Sequence, residues 1–587
     1  MIPPSAPQQG PSLLLIESGF TAIAFALAFC FPQLGSAFFS RVESAFGGLA
    51  RKKSLSVAVV GLAALLLRLA ILPLCPIPEP FVHDDFSFLL AADTFASGRL
   101  ANPTPVMWTH FESFHITMKP TYMSMYFPAQ GLLLAASKVL TGHPWYGILL
   151  TTALMCSAIC WMLQAWLPPA WALLGGLLAI LRIGLFSYWI DTYSGGGSIA
   201  ALGGALILGA LPRFMKSMRF RDGLWMGVGV ILVGTCRPYD GMLLCLPVAC
   251  LMTWWMLFGK NGPAATVLFR RIVVPLALIA AAAAWMGYYN YRVFGSATTL
   301  PYTVDRAQYA IAPYFVWQPQ HPEPPYRHKV MREFYYRDEL NNFNKLRTPF
   351  GFISQTLSKT ASGILFFAGI ALLVPLIMVR RVLLDRRVRF LILCVLVLMA
   401  GQIVEIFLIP HYLAPFTAAF YAIGLQCMRH LRLWTPGGQP VGRTLVRLTV
   451  TLCVVLGGMR LYAVPLHLAL PVWPGTWASE WFGSDGRSGT ARAQIEARLE
   501  QMPGRQLVIV RYPLNHNPLD EWVYNAADID GSNVIWAREM DQSQNLELIR
   551  FYKDRKVWLV EPDAIPATIS PYPVPAEEHP EQLTARR

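Results

Sequence analysis

The chain has 587 residues, 55% of them hydrophobic and only 14% charged. That balance excludes an ordinary soluble globular protein and reads as a chain that crosses a membrane many times. A formal charge of +14 would fit a polyanionic partner, but Lys and Arg gather in short loops between apolar runs. They therefore report topology, and nucleic acid is excluded as a partner.

The N-terminal stretch MIPPSAPQQGPSLLLIESGF has no basic leader, so residues 13–36 read as a retained helix and not a cleaved signal. Basic loops at 41–53, 213–222, 260–271, 380–389 and 429–447 are placed in the cytoplasm by the positive-inside rule. Apolar runs near the spanning length then predict twelve crossings. They fall at 13–36, 54–76, 145–166, 168–190, 196–212, 223–236, 241–258, 272–289, 359–379, 390–409, 413–428 and 448–466. The count alternates correctly provided that 127–140, after FPAQG, re-enters or lies at the interface. Both termini are then outside, with outer loops at 77–144 and 290–358. All ten cysteines lie in or beside apolar segments, so no disulfide framework is expected, and Cys156 with Cys160 reads as one helix face.

The tail changes composition. A helix near 490–502 precedes three strand-like runs, QLVIVRY, EWVYN and NVIWA; NLELIRFYKD reads as helix and KVWLV as strand. The last twenty-odd residues, rich in Pro and Glu, read as disordered. The expected fold class is an α-helical polytopic membrane protein of about twelve transmembrane helices with a small C-terminal α/β domain outside the membrane. Its parts are an extra helix and basic loop (1–53), a membrane catalytic domain (54–466) and the tail (467–587). No internal repeat is visible.

The chemistry gathers on the predicted outer side. FVHDDFSFLL places His83, Asp84 and Asp85 where the chain leaves its second span. A carboxylate against apolar walls can act as a general base, whereas a helix N-cap needs one Asp and leaves the second over. Asp191 in DTYSGGG supplies another outer acid, to orient an acceptor or help hold a divalent cation; the glycines after it fit close helix packing. Positive or aromatic partners for a phosphate or sugar are Arg237 and Tyr239 in CRPYDG, Arg292, Arg306, and His411 with Tyr412 in IPHYLAP. Asp240 stands where it can pair with Arg237. Arg182, inside a span, is a functional candidate that could pair with Glu405. The aromatic loop 290–358 reads as a lid, with Trp317 as its contact; His321 and His328 do not form a convincing metal pair, and no metal ligands are assigned.

The pieces HDDFSFLLAADTFASGRL, YFPAQGLLLAASKVLTG and SYWIDTYSGGG, in that order and on one side, resemble the GT-C glycosyltransferases. Within that class they look like the branch of protein O-mannosyltransferases and lipid A aminoarabinose transferases. The resemblance covers roughly residues 54–466 and rests on order and sidedness, since each motif is short. It implies that the first-loop acid, Asp84, is the catalytic carboxylate, supported by Asp85. It also implies a polyprenyl-phosphate-linked sugar as donor, with a glycan, lipid or protein as acceptor and the active site periplasmic on the inner membrane. The chain departs from the family in its extra N-terminal helix and in an Asp-Asp pair where the mannosyltransferases have Asp-Glu. A secondary transporter fits twelve spans but not polar residues collected at one face. An O-antigen ligase or polymerase would carry Arg and His on a dominant late loop.

Overall fold

The computed structural model describes residues 13–259, 265–407, 409–462 and 489–573. The chain is mostly helical, with a small sheet domain near the C-terminus. Helices occupy all twelve apolar stretches, but length and composition separate them. Six could cross a membrane alone: Lys53–Ala70, Trp145–Trp166, Gly197–Ser217, Pro238–Phe258, Thr266–Phe294 and Val441–Leu461. Pro349–Ala368 and Ala371–Leu383 make a seventh only if counted as one span, and they are bent by 107°. Leu14–Cys30, Pro169–Gly184 and Arg389–Val404 are apolar but short. Two expectations change here. The basic stretch 41–53 is mostly helix (Ser36–Arg51), because Glu43 takes Arg432 and Arg447 as partners and ties it down. Arg182 lies 3.7 Å from Glu17, and Glu17 also accepts the backbone N–H groups of Ile370 and Ala371 at the bend. A helix start presents unpaired donors, and this carboxylate from the N-terminal helix satisfies two of them.

Small residues set the closest approaches. A Cβ on Gly204 would lie 1.8 Å from the Pro415 carbonyl oxygen, so only glycine lets the Pro410–Phe416 turn sit on helix Gly197–Ser217. Gly195, at φ +80°, packs its bare Cα against the His411 ring. The glycines after Asp191 thus serve packing. Helix Pro128–Thr141, inside the run expected to stop short of crossing, packs on His83–Ala96, where a Cβ on Gly131 would meet Ala91 at 2.6 Å. No disulfide joins any two cysteines among the described residues.

Apart from the long apolar helices lie the hairpin β1 (Ile116–Thr117) and β2 (Met123–Ser124), and the tail sheet. That sheet comprises β3 (Arg505–Val510), β4 (Val534–Arg538), β5 (Arg555–Glu561) and β6 (Thr568–Pro571), in the order β4-β3-β5-β6. β3 pairs in parallel with β4 and β5, while β6 runs antiparallel to β5. As expected of strands buried on both faces, β3 and β4 are continuous apolar runs. One face packs Leu507, Ile509, Ile535 and Ala537 against Leu90, Phe111, Ile116, Met118 and Tyr122 of the segment 77–144. The other face packs on helix Thr490–Glu500. The tail therefore docks on the loop that carries the acidic pair.

EWVYN is not a strand. The Glu521 carboxylate takes the N–H groups of Trp522 and Val523, and Asn525 exchanges two hydrogen bonds with the Trp536 backbone at 2.8 and 2.9 Å. Side chains replace the ladder there. The Pro- and Glu-rich end lies mostly outside the described residues, as does the stretch 463–488.

Candidate functional site

Helix His83–Ala96 starts at the acidic pair, and its first turn aims the two acids differently. The Asp85 carboxylate is buried and accepts the Tyr193 N–H at 2.9 Å and, more weakly, the Phe81 N–H at 3.5 Å. It ties the helix start to the DTYSGGG loop. Burial pushes its pKa up to about 7, and the charge of Asp84 adds to that, against the two backbone donors.

Asp84 keeps 21% of its side chain exposed. Its Oδ1 lies 2.5 Å from His115 Nδ1 and accepts the Tyr126 hydroxyl at 2.6 Å. Burial raises the carboxyl, but the charge and hydrogen bond of His115, with His83 and the Tyr126 hydroxyl, outweigh it and hold Asp84 well below the usual range. His115 is pushed the other way: burial lowers it, and the carboxylate of Asp84 raises it above its ordinary value. The two shifts are reciprocal, and each favours the charged form of its group. His115 also holds a left-handed backbone, φ 59°, uncommon for a non-glycine residue and frequent at functional sites.

His83 is buried and neutral; burial first, then the charge of His115, lowers its pKa to about 4. Its Nδ1 lies 3.2 Å from the Pro518 carbonyl oxygen, which can only accept, so Nδ1 carries the proton. The Nε2 lone pair then faces Asp84 Oδ1 at 3.4 Å. Two acceptors face each other there, an arrangement that a cation relieves. His83, Asp84 and His115 offer one donor atom each, all within 4.8 Å of one another. Two imidazoles and a carboxylate, one imidazole fixed by a backbone carbonyl, match a zinc-like ion better than magnesium.

Asp305 adds a second buried acid. Neither of its oxygens has a hydrogen-bond partner among the described residues, and it lies within electrostatic reach of His115, Arg306 and Asp84. Burial pushes its carboxyl up to about 6, and the two cations pull against that.

The positive side is built on the next loops. Arg237 donates from Nε to Asp240 at 2.7 Å, reaches the Gly195 carbonyl, and stacks 4.1 Å over the Tyr412 ring. Tyr126, Tyr302 and Tyr314 form a run of edge-to-face rings, with centroids 5.8 Å apart at each step. Tyr302 and His411 each feel the charges of both Arg237 and Asp84. The acid and the guanidinium therefore flank one aromatic region. His411 is buried, and its N–H and Nδ1 both contact the Tyr188 hydroxyl at 2.9 Å.

The other candidates are placed elsewhere. Asp191 is buried in an ion pair with Arg68 at 2.8 Å; Arg68 also holds the carbonyls of Cys75 and Pro76, which lead into the acidic helix. Tyr239 donates to the Gly401 carbonyl. Arg306 is buried against Glu339 at 2.7 Å. Arg292 is exposed and bonds only Tyr288 among the described residues. Trp317 is 64% exposed and stacked on Phe315. Sequence reasoning did not single out His115, Tyr126, Tyr302 or Asp305; FHITM and SMYFP, both in the loop that carries the acids, were the available signal.

No family model matches the chain, and no curated protein matches it either. Among solved structures it is similar to ArnT from Cupriavidus metallidurans (12% identity, TM-score 0.45, 86% of this chain and 92% of that one). It is also similar to the oligosaccharyltransferase of Archaeoglobus fulgidus. The form with zinc and sulfate overlaps at 11% identity and TM-score 0.43, over 86% of this chain and 67% of that one. The AglB complex with an inhibitory peptide and a dolichol-phosphate overlaps at 10% and 0.42, over 85% and 69%. Both are GT-C glycosyltransferases. Overlaps this partial assign no activity, and the functional reading rests on the residues of this chain.

Proposed function

We propose that the chain is an inverting glycosyltransferase of the GT-C type, with twelve membrane helices and its site on the periplasmic side of the inner membrane. It moves a sugar from a polyprenyl-phosphate donor to a glycolipid, polysaccharide or protein acceptor. The observation that carries the reading is Asp84: a partly exposed carboxylate gripped by His115 and Tyr126, in the first turn of helix His83–Ala96 and across an aromatic wall from Arg237.

The chemistry follows from that placement. The acceptor hydroxyl donates its hydrogen bond to Asp84, which aims the oxygen at the anomeric carbon. As the new C–O bond forms, the bond to the phosphate breaks and its electron pair leaves with the phosphate. The attacking oxygen becomes an oxonium, a strong acid, so even a carboxylate of depressed pKa takes its proton. Phosphate leaves without protonation. Arg237 is the residue to receive its charge, held by Asp240 and Tyr412. Adjacent Asp side chains that point apart do not fit the two-carboxylate covalent scheme, which needs acids about 5 Å apart across a sugar. Where a divalent cation is bound, His83, Asp84 and His115 are the residues to hold it, His115 giving up its proton to do so, and the ion would supply Lewis-acid chemistry at that cluster.

The test is release of polyprenyl phosphate by purified protein in lipid nanodiscs, supplied with lipid-linked sugars and an envelope extract. Wild type is expected to release it and Asp84→Asn to fall by about 10²–10⁴-fold, the usual worth of a general base. Equal release by the two would remove Asp84 from the mechanism.

A further inference from the structure

A second cleft lies between the segments 77–144 and 290–358. It encloses about 270 Å³, close to the lower end of small-molecule sites at about 300 Å³. That is room for one ring and not for a chain of them. Its walls include three aromatic side chains, Trp108, Tyr309 and Tyr326, with Lys119, Arg327 and Glu112 among the groups between them.

The charges decide what such a cleft would take. The Glu112 carboxylate is buried, accepts from the Tyr309 hydroxyl at 3.1 Å and from Arg327 at 3.2 Å, and so is already compensated. Lys119 stacks 4.4 Å over the Trp108 ring and Arg327 4.6 Å over it. Lys119 has no carboxylate partner among the described residues. With Arg327 spent on Glu112, Lys119 leaves the cleft a net positive charge beside its aromatic rings. The exposed Lys119 ammonium, resting on the Trp108 ring, turns to an anionic substituent and uncovers the indole face, which with the Tyr309 and Tyr326 rings takes the C–H side of a sugar.

The cleft also shares its backbone with the catalytic cluster. Glu112 and His115 are three residues apart, at most about 10 Å of extended chain. His115 is the residue that grips Asp84.

We propose that this cleft binds one sugar ring carrying a carboxylate or phosphate, and that the ring belongs to the acceptor, one or two sugars from the hydroxyl that reacts. Its assignment to the acceptor rests on the transferase reading; the binding does not.

The experiment is saturation-transfer NMR on the full chain in nanodiscs, without donor, using methyl glucuronide, glucose 1-phosphate and methyl glucoside as probes. The expected result is saturable binding of at least one anionic probe, at least fivefold tighter than methyl glucoside. That binding weakens about tenfold in Lys119→Gln and is restored in Lys119→Arg. Trp108→Leu should weaken all three probes. The two anionic probes separate a uronate site from a phosphate site. Asp84→Asn serves as the control that must bind like wild type. If neither anionic probe binds wild type, or if Lys119→Gln binds as well as wild type, the proposal is overturned, whatever Asp84→Asn does to sugar transfer. If the probe binds as described and no transfer is found, the transferase reading fails while the site stands.

Discussion

At the scale of single residues, the structure separates three acids that look alike in sequence. Asp84 is gripped by His115 and partly exposed, Asp85 ties two loops together, and Asp191 is buried against Arg68. Breaking one side of a buried pair strands the other charge, at about 3–5 kcal/mol. Asp191→Asn should therefore lower thermal stability by that order in a scanning-fluorimetry or calorimetric melt, whereas Asp84→Asn, at a partly exposed pair whose His115 can release its proton as Arg68 cannot, should lower activity with a smaller change in melting. The reverse pattern would exchange their roles. The ion pair also fixes a pH dependence. The depressed Asp84 contributes stability above its unfolded value, about 3.9, and loses it as pH falls through the lower folded value. The raised His115 contributes fully below about 6.5 and loses it as pH climbs through its higher folded value. Between these limits both are charged. In His115→Gln burial acts on Asp84 without that cation, so the acid limb of kcat/KM should move to higher pH. An unmoved limb would detach His115 from the reaction.

At the scale of elements, legibility in the sequence followed from how local each signal is. The acidic pair, Arg237 with Asp240, and the strands β3 to β5 could be read because neighbours in sequence carry them. His115 and Tyr126 reach Asp84 from 31 and 42 residues away, and no local pattern encodes that meeting. EWVYN reads as a short apolar strand-like run, yet Glu521 and Asn525 bond to backbone and hold it open. Glycine positions divide similarly. Gly204→Ala would press a methyl into the Pro415 carbonyl and displace the His411 turn, costing about 1–3 kcal/mol or more. Gly234→Ala, in open space on helix Phe220–Cys236, should be neutral or slightly stabilising. Parallel melts of the two variants check this; equal losses would mean the close approach is not what holds the turn.

At the scale of the whole molecule, the tail domain belongs to the site's architecture. Its Pro518 carbonyl fixes the His83 tautomer, Arg538 donates to the Glu112 carbonyl, and Glu521 joins Arg538, Ser113 and Tyr512. Glu521→Ala leaves Arg538 buried without its carboxylate, and about 3–5 kcal/mol should be lost. The tail should then be cut faster by protease while the membrane helices stay intact; unchanged proteolysis would argue against docking through this residue. The apolar composition announced the membrane helices, but not how many cross, because several helices that fill the apolar stretches are short.

The most direct test of the central claim is mass spectrometry of envelope glycans in a deletion strain rescued with wild type or with Asp84→Asn at equal membrane abundance. The account predicts that a sugar is missing after deletion, that wild type restores it, and that Asp84→Asn does not. Full restoration by Asp84→Asn, or no glycan change on deletion, would contradict it.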